Sequence, residues 1–158
     1  MKLLFFSVFL FCGTYNSISQ EFGLDSKDLN VGDIYICEPR IEFDFGKWTI
    51  KSTSHAHLDS IAEFLKENEN LTLEISTHTD SRASQTSSSN LGYKRAISIV
   101  EYLVSKGVNP DNLVAKSYGQ RYLRVSDDQI NILETDEEKE AAHALNRRVE
   151  LKIIEIKN

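Results

Sequence analysis

The sequence predicts a two-layer α/β sandwich, in which helices pack on a mixed β-sheet. Short stretches that alternate apolar and polar residues, as half-buried strands do, are separated by stretches with apolar residues at helical spacing. Their order along the chain is β-α-β-α-β-(α)-β, with no internal repeat and no low-complexity tract. The length of 158 residues suits one domain with a proper core and is too short for two.

The first predicted strands are Asp33–Cys37 and Arg40–Phe45, which both alternate apolar and polar side chains. The second is broken by Gly46 and Lys47. A helix is predicted next, with Ser54 as its N-cap. Its buried stripe is formed by Leu58, Ile61, Ala62 and Leu65.

The middle of the chain predicts a strand, a helix and a further strand. Leu71–Ser76 alternates again, and helical spacing returns from about Leu91. Gly107 fits the C′ position after this second helix. Leu113–Tyr118 then predicts a short strand closed by Gly119. The buried stripe of the second helix is formed by Ala96, Ile99, Val100 and Leu103.

The C-terminal part predicts a loop, a short helix and a last strand. Residues 120–134 are a long loop for a domain of this size, and such loops are often functional or mobile. Thr135–Glu138 has the spacing of a capping box and predicts a helix to about Leu145. The last predicted strand is Val149–Ile153.

The N-terminus predicts an exported protein. Lys2 precedes an apolar run that ends at Cys12, and a polar tail with small residues leads to Ser19, as in a signal peptide cleaved after that residue. The run is about half of the roughly 20 residues that span a bilayer. A lipoprotein with Cys12 as its lipidated first residue is the alternative, although the bulky residues before Cys12 fit it poorly.

These boundaries divide the chain into three parts. Residues 1–19 are the predicted signal peptide, residues 20–32 a polar lead-in, and residues 33–158 the domain. Removal of Lys2 with the first part leaves 17 of the 18 basic residues against 24 acidic ones, a net charge of −7. This charge argues against a nucleic-acid partner, which would need a basic surface. Cys37 is then the only cysteine, so no intramolecular disulfide is expected.

One carboxylate and one guanidinium stand out as a candidate site. Asp80 follows the end of a predicted strand, the usual place for ligand groups in α/β sheets. On a helical wheel, Arg95 lies on the flank of the buried stripe of its helix. Because a guanidinium binds a carboxylate and a carboxylate accepts an ammonium, the two would suit the zwitterionic head of an amino acid. The alternative is a structural ion pair between Asp80 and Arg95, the commoner role of such residues.

Six segments form a pattern over more than two thirds of the chain. They are IEFDFGKWTI (41–50), LDSIAEFLKEN (58–68), EISTHTDSRAS (74–84), NLGYKRAISIVEYLVSKGV (90–108), SYGQ (117–120) and ALNRRVEL (144–151). In this order and at this spacing they resemble the OmpA-like peptidoglycan-binding domain, which is also found in the peptidoglycan-associated lipoprotein and in flagellar stator proteins. Each segment alone is a weak match, but the set is highly specific.

The resemblance implies roles for the two charged residues. In that family the aspartate of an HTD motif and an arginine fifteen residues later hold the meso-diaminopimelate of the peptide stem, which implies these roles for Asp80 and Arg95. Arg95 would bind the free carboxylate at the end of the diaminopimelate side chain, and Asp80 the free ammonium. Phe43 and Asp44 are expected to line the pocket, partly through their backbone. The other residues predicted to support the site are Thr79, Ser88, Asn90, Leu91 and Arg147.

The chain departs from the family pattern at three positions. Ala83 replaces a usual glycine, which would restrict the loop if a positive φ were needed there. Ser88 stands where an asparagine is expected, and Asn90, two residues later, is a potential substitute. Gly92 replaces the commoner serine. These changes are expected to affect affinity more than ligand class.

Arg147 and Arg148 open the last predicted strand and therefore face opposite ways. One of them is expected to help order the binding loop and the other to be solvated or salt-bridged. The sequence leaves open which does which.

A metal site and a catalytic site are the two alternatives to this ligand site. His55 and His57 would point apart at a helix start but would share a face in an extended segment, so their spacing does not favour zinc. The family implies no metal and no cofactor. Hydrolysis needs an activated nucleophile or a metal-bound water, and no motif in the chain provides either. We therefore expect a protein that is not an enzyme.

The sequence thus predicts a protein that binds peptidoglycan through the diaminopimelate of its stem peptide. We expect it in the periplasm, with association with the outer membrane as a further option. Other envelope proteins and a homodimeric partner are left open. The alternative is an OmpA-like fold reused as an envelope protein–protein interaction module with a degraded wall site.

Overall fold

The computed structural model describes residues 20–157, so the predicted signal peptide lies outside the described residues. The described chain contains four strands and four α-helices. The strands are β1 (Ile34–Ile36), β2 (Leu71–His78), β3 (Leu113–Gly119) and β4 (Val149–Ile156). The helices are α1 (His55–Glu67), α2 (Gln85–Ser105), α3 (Asp127–Asn131) and α4 (Asp136–Asn146). None of these helices is long and apolar enough to cross a membrane.

The strands form one mixed sheet in the order β1-β4-β2-β3. The pair β2–β3 is parallel, and α2 connects its two strands, whereas β4 pairs antiparallel with β1 and β2. The predicted fold class is confirmed. The strand β2 lies between β4 and β3, and all eight of its residues are buried.

The core lies between the sheet and the helices α1 and α2. Leu73 and Ile75 of β2 share one hydrophobic cluster with Leu58 of α1 and with Ile99 and Leu103 of α2. Each of these side chains is at most 1% exposed. The spacing of apolar residues in the sequence therefore identified the buried faces correctly.

The lead-in segment is part of this packed structure. Phe22 is buried in the core and its ring stacks on that of Phe64, with 5.8 Å between centroids. The amide of Phe22 donates to the carbonyl of Ile34, at 3.1 Å. Phe22 of the lead-in therefore packs into the core and pairs with β1.

The predicted strand at Arg40–Phe45 is wrong. This segment contains only an isolated bridge from Phe43 to Ile50 and belongs to a hairpin that turns at Gly46, where φ is +66°. The backbone of Glu42 is satisfied locally, because its amide donates to the Ser54 hydroxyl at 2.8 Å and its carbonyl accepts from Lys51 at 2.9 Å. With its polar groups paired in this way, the segment needs no neighbour in the sheet.

Two helix starts differ from the prediction. Ser54 does precede α1, but its hydroxyl binds the amide of Glu42 and caps no amide of the helix. The helix α2 begins at Gln85, six residues before the predicted start at Leu91, because the hydroxyl of Ser84 accepts from the amide of Ser87. The serine-rich first turns lack apolar periodicity, so the sequence pattern did not reveal them.

The C-terminal half largely follows the prediction. Gly107 has φ of +94° after α2, and Thr135 forms a capping box with Glu138 at the start of α4. The predicted loop at residues 120–134 contains the short helix α3, which has its own capping box from Ser126 to Gln129. The strand β4 extends to Ile156, three residues beyond its predicted end.

Candidate ligand pocket at the end of strand β2

A cavity of about 640 Å³ opens where β2 ends. Its walls come from the hairpin at residues 42–51, the turn after β2, the first turns of α2, and the junction of α4 with β4. Eight of the nine predicted site residues line it. These are Phe43, Asp44, Thr79, Asp80, Ser88, Leu91, Arg95 and Arg147.

Asp80 lies two residues after β2 and is 8% exposed. Its Oδ2 accepts from Arg147 Nη1 at 2.8 Å, and from Nη2 and Nε of Arg82 at 2.6 and 3.0 Å. Burial raises the pKa of this carboxyl, but the hydrogen bonds from Arg82 and Arg147 outweigh it and the net pKa is lowered. The site therefore holds an ionised carboxylate at neutral pH.

Arg95 enters the cavity from α2 and is held by the hairpin. Its Nε donates to the carbonyl of Lys47 at 3.0 Å, and its guanidinium carbon lies 4.8 Å from the centroid of the Phe43 ring. Burial and the nearby Arg147 lower the pKa of the Arg95 guanidinium, whereas Asp80 raises it. Among the hydrogen bonds of residues 20–157, none uses the Nη atoms of Arg95, so this edge can bind an anion.

The structural ion pair between Asp80 and Arg95 does not form. The salt bridges of Asp80 are to Arg82 and Arg147, and Arg95 is absent from the salt bridges of the described chain. The two charges predicted from the sequence thus face one cavity without neutralising each other.

A second carboxylate completes a ring of charges that sequence reasoning missed. Arg82 Nη1 donates to Glu140 Oε2 at 2.8 Å, and Arg147 Nη2 donates to Glu140 Oε1 at 2.6 Å. The ring therefore runs from Asp80 through Arg82, Glu140 and Arg147 back to Asp80. Arg82 could have been inferred, because it follows Asp80 by only two residues. Glu140 could not be inferred from the sequence as a site residue, since α4 contacts this site only in the folded chain.

Two hydroxyl groups in the cavity wall have no partner. The side-chain oxygens of Thr79 and Ser88 are buried without a hydrogen bond within the described residues. Both residues line the cavity. A buried hydroxyl without a partner is unfavourable, so both groups would gain from a hydrogen bond to a polar ligand or an ordered water.

Comparison with known proteins identifies the family. The family model described as OmpA family matches residues 42–148, which is more than half of the chain and contains most of the cavity wall. The chain belongs to the OmpA family. The fold and motifs predicted from the sequence agree with this membership.

The relatives of this OmpA family protein include envelope proteins of several bacteria. An outer membrane porin F of Pseudomonas fluorescens is 28% identical over 78% of this chain and 35% of the relative. A peptidoglycan-associated lipoprotein of Buchnera aphidicola is 38% identical over 50% of this chain and 46% of the relative. The chain thus spans less than half the length of both.

Solved structures support the same assignment. The peptidoglycan-associated lipoprotein of Burkholderia pseudomallei superposes with a TM-score of 0.58 and 26% identity, over 72% of this chain and 88% of that one. The periplasmic domain of Helicobacter pylori MotB shares the fold, with a TM-score of 0.59 and 19% identity, over 79% of this chain and 75% of that one.

The departures from the family pattern have separate outcomes. No described residue other than glycine has a positive φ, so Ala83 is not strained by its side chain. Asn90 is exposed on α2 and does not line the cavity, because residues two apart on a helix point in different directions. Asn90 therefore cannot substitute for Ser88 in this conformation.

Gly92 has a packing role in α2. A Cβ atom at this position would lie 2.2 Å from Ser117 Oγ and 2.9 Å from Thr77 Oγ1. Thr77 Oγ1 instead donates to the Gly92 carbonyl at 2.8 Å. The glycine lets α2 lie close to β2 and β3, which brings Ser88 and Arg95 over the cavity.

The histidines weighed as metal ligands make other contacts. The ring of His55 lies 5.0 Å from that of Tyr102, and His57 bonds the Tyr35 hydroxyl at 2.7 Å and the Pro39 carbonyl at 2.6 Å. Within residues 20–157, no cluster of three or more histidine, cysteine or acidic residues could hold a metal ion.

Proposed function

We propose that this protein binds peptidoglycan without catalysis, by recognising the meso-diaminopimelate of the stem peptide. The observation that carries the proposal is that Asp80 and Arg95 line one cavity without pairing with each other. A ligand that presents an ammonium and a carboxylate on one carbon atom complements these two charges. The free end of the diaminopimelate side chain is such a group.

Arg95 binds the carboxylate in this proposal. Its Nε is held by the Lys47 carbonyl and its face by Phe43, so the guanidinium is oriented before the ligand arrives. The remaining edge offers parallel N–H groups, which match a carboxylate in bidentate geometry. Pre-orientation reduces the side-chain entropy lost on binding.

Asp80 accepts the ammonium. Its pKa is lowered by its arginine neighbours, which keeps it charged over the neutral range, although burial acts in the opposite direction. The buried hydroxyls of Thr79 and Ser88 supply further hydrogen bonds to the stem. Family membership and relatives named peptidoglycan-associated lipoproteins support binding to peptidoglycan.

The proposed location is the periplasm, where the protein would attach to the cell wall. In this proposal residues 1–19 are a cleaved export signal and residues 20–158 the mature chain. The relatives named as outer membrane proteins support an envelope location.

Calorimetric titration of the purified protein tests this function. The ligand is a stem peptide that ends in meso-diaminopimelate, and the matched control peptide carries lysine in its place, which lacks the side-chain carboxylate. We expect binding of the first and at least tenfold weaker binding of the second, since one charged contact is lost.

Two variants that remove a charge but keep a polar side chain separate function from folding. Asp80→Asn and Arg95→Gln are each expected to abolish binding, while circular dichroism shows an unchanged fold. Unfolding of either variant would indicate a structural role. A folded wild-type protein that ignores both peptides and a whole muropeptide would favour the alternative of a protein–protein interaction module.

A further inference from the structure

The carboxylate of Asp80 is already occupied by a cation from the protein itself. Arg82 donates to Asp80 through Nη2 and Nε, and its backbone amide lies 3.3 Å from Asp80 Oδ1. We propose that the Arg82 side chain is an internal competitor for the ammonium subsite, and that ligand binding releases it from Asp80 while Glu140 retains it. This inference rests on the proposed function and identifies a residue that sets its specificity.

Most acceptor positions of the Asp80 carboxylate are already occupied. Oδ2 accepts three donors, two from Arg82 and one from Arg147, whereas Oδ1 has only the backbone amide of Arg82. A carboxylate has about four acceptor positions in total. An ammonium that approaches from the cavity must therefore displace one guanidinium to make more than one strong hydrogen bond.

Arg82 is the guanidinium that can leave. Its side chain is 51% exposed, compared with 33% for Arg147, and it extends from the exposed turn between β2 and α2. Arg147 is fixed at the junction between α4 and β4. Arg82 makes more hydrogen bonds to Asp80 than Arg147 does, but a partly exposed ion pair contributes little net stability and the Arg82 side chain has solvent into which it can move.

Glu140 provides a second position for the released side chain. Arg82 Nη1 donates to Glu140 Oε2 at 2.8 Å, through an atom that does not contact Asp80. Arg82 can thus lose Asp80 and keep an anionic partner. The exchange leaves no unpaired charge on the protein, since the ammonium replaces the guanidinium at Asp80.

This exchange filters ligands by their charge pattern. A carboxylate without an ammonium cannot replace Arg82 at Asp80. An ammonium without a carboxylate replaces one cation by another and gains little. Only a group that binds Arg95 and Asp80 together gains a second contact, which compensates for the displacement of Arg82.

The test compares Arg82→Gln with a matched control. Arg121→Gln makes the same substitution at an exposed arginine outside the cavity wall. In calorimetric titrations of the purified protein with the diaminopimelate stem peptide, we expect Arg82→Gln to bind on the order of fivefold tighter than wild type. Arg121→Gln should bind as wild type. Pimelate, which has the carboxylates without the ammonium groups, should show no gain with Arg82→Gln.

The wild-type protein offers a readout that needs no variant. The Nε–H of Arg82 is hydrogen-bonded to Asp80, so its NMR signal should shift and exchange faster with water when the peptide binds. The Nε–H signal of Arg95, which is bonded to the Lys47 carbonyl, should remain protected. An Arg82 signal unchanged at saturation would overturn the proposal.

The outcomes separate this inference from the proposed function. If wild type binds the peptide and Arg82→Gln binds with equal affinity, Arg82 has no role in binding. If Arg82→Gln binds more weakly, Arg82 contacts the ligand. Either result contradicts this inference and leaves the proposed function intact. If neither protein binds, the proposed function falls and the inference with it. Arg82→Lys keeps the positive charge but loses the planar guanidinium, so its affinity for the peptide should lie between those of wild type and Arg82→Gln.

Discussion

The guanidinium of Arg95 lies over the Phe43 ring, with 4.8 Å between the guanidinium carbon and the ring centroid. The hydrogen bond from Nε to the Lys47 carbonyl, at 3.0 Å, holds the guanidinium in this position. The hairpin that makes both contacts therefore fixes the position of a helix side chain that would otherwise be flexible. This side chain forms one wall of the candidate site.

Phe43→Leu is expected to weaken binding of the diaminopimelate peptide by about three- to tenfold. Leucine keeps an apolar contact but removes the aromatic face, and a partly buried cation–π contact contributes about 1 kcal/mol. Titration calorimetry measures the change. The control is Tyr93→Leu, at an exposed aromatic residue of α2 outside the cavity wall, which should bind as wild type. Equal affinities for all three proteins would contradict the role of Phe43.

Ser88→Ala and Asn90→Ala should differ in their effects on affinity. The Ser88 hydroxyl is buried in the cavity wall without a partner, whereas Asn90 is exposed outside it. We expect Ser88→Ala to weaken peptide binding by roughly 1 kcal/mol and Asn90→Ala to leave it unchanged. Thermal unfolding should show no loss of stability for Ser88→Ala, because the substitution removes an unsatisfied buried hydroxyl. A large loss of stability would mean that this hydroxyl is paired in the free protein.

Gly92→Ala should destabilise the fold by about 1–3 kcal/mol, although alanine is the better helix former. The new Cβ atom would lie 2.2 Å from Ser117 Oγ, and Ser117 Cβ is 3.2 Å away. Chemical denaturation measures the free energy of unfolding. Addition of Ser117→Ala removes the closer atom and should recover part of the loss, since contacting residues are energetically coupled. Simple additivity of the two variants would show that the clash is elsewhere.

Ionisation of Glu150 should make the free energy of unfolding depend on pH in the acidic range. Burial raises the pKa of Glu150, but the imidazole of His78, whose Nε2 lies 3.3 Å from the carboxylate, and a hydrogen bond from Arg148 at 2.6 Å lower it to about 2 from the ordinary 4.5. A carboxyl with a lowered pKa in the folded state stabilises the protein fully above its unfolded pKa, and this stabilisation disappears as the pH falls through the folded value. The window is therefore between pH 4.5 and about 2, with a total of roughly 3 kcal/mol.

Glu150→Gln tests this assignment. The variant cannot ionise, so its unfolding free energy should be lower than that of wild type at neutral pH and should change less between pH 4.5 and 2. Denaturation curves at a series of pH values measure both effects. The matched control is Glu155→Gln, at an exposed position further along β4. Parallel pH profiles for wild type and Glu150→Gln would assign the acid transition to other carboxyls.

Local patterns in the sequence were sufficient for most of the fold. Apolar spacing in α1, α2 and β2 identifies the side chains that form the core, because burial of one face imposes the period of the element on the sequence. The same pattern was misleading at Arg40–Phe45, where alternation suggested a strand. There the backbone pairs within a hairpin and with Ser54, and these contacts are not visible in the alternation of apolar and polar residues.

The sequence by itself determined the fold class and the family, and it singled out two of the charged residues that line the candidate site. Only the tertiary structure decided how those charges are engaged. Asp80 forms salt bridges with Arg147 and Arg82, whereas Arg95 donates to the Lys47 carbonyl of the hairpin. This pairing arises because α4 and the 42–51 hairpin both lie at the end of β2. Pairing of charges depends on distances between side chains, and distances between residues such as Asp80 and Glu140 exist only once the chain has folded.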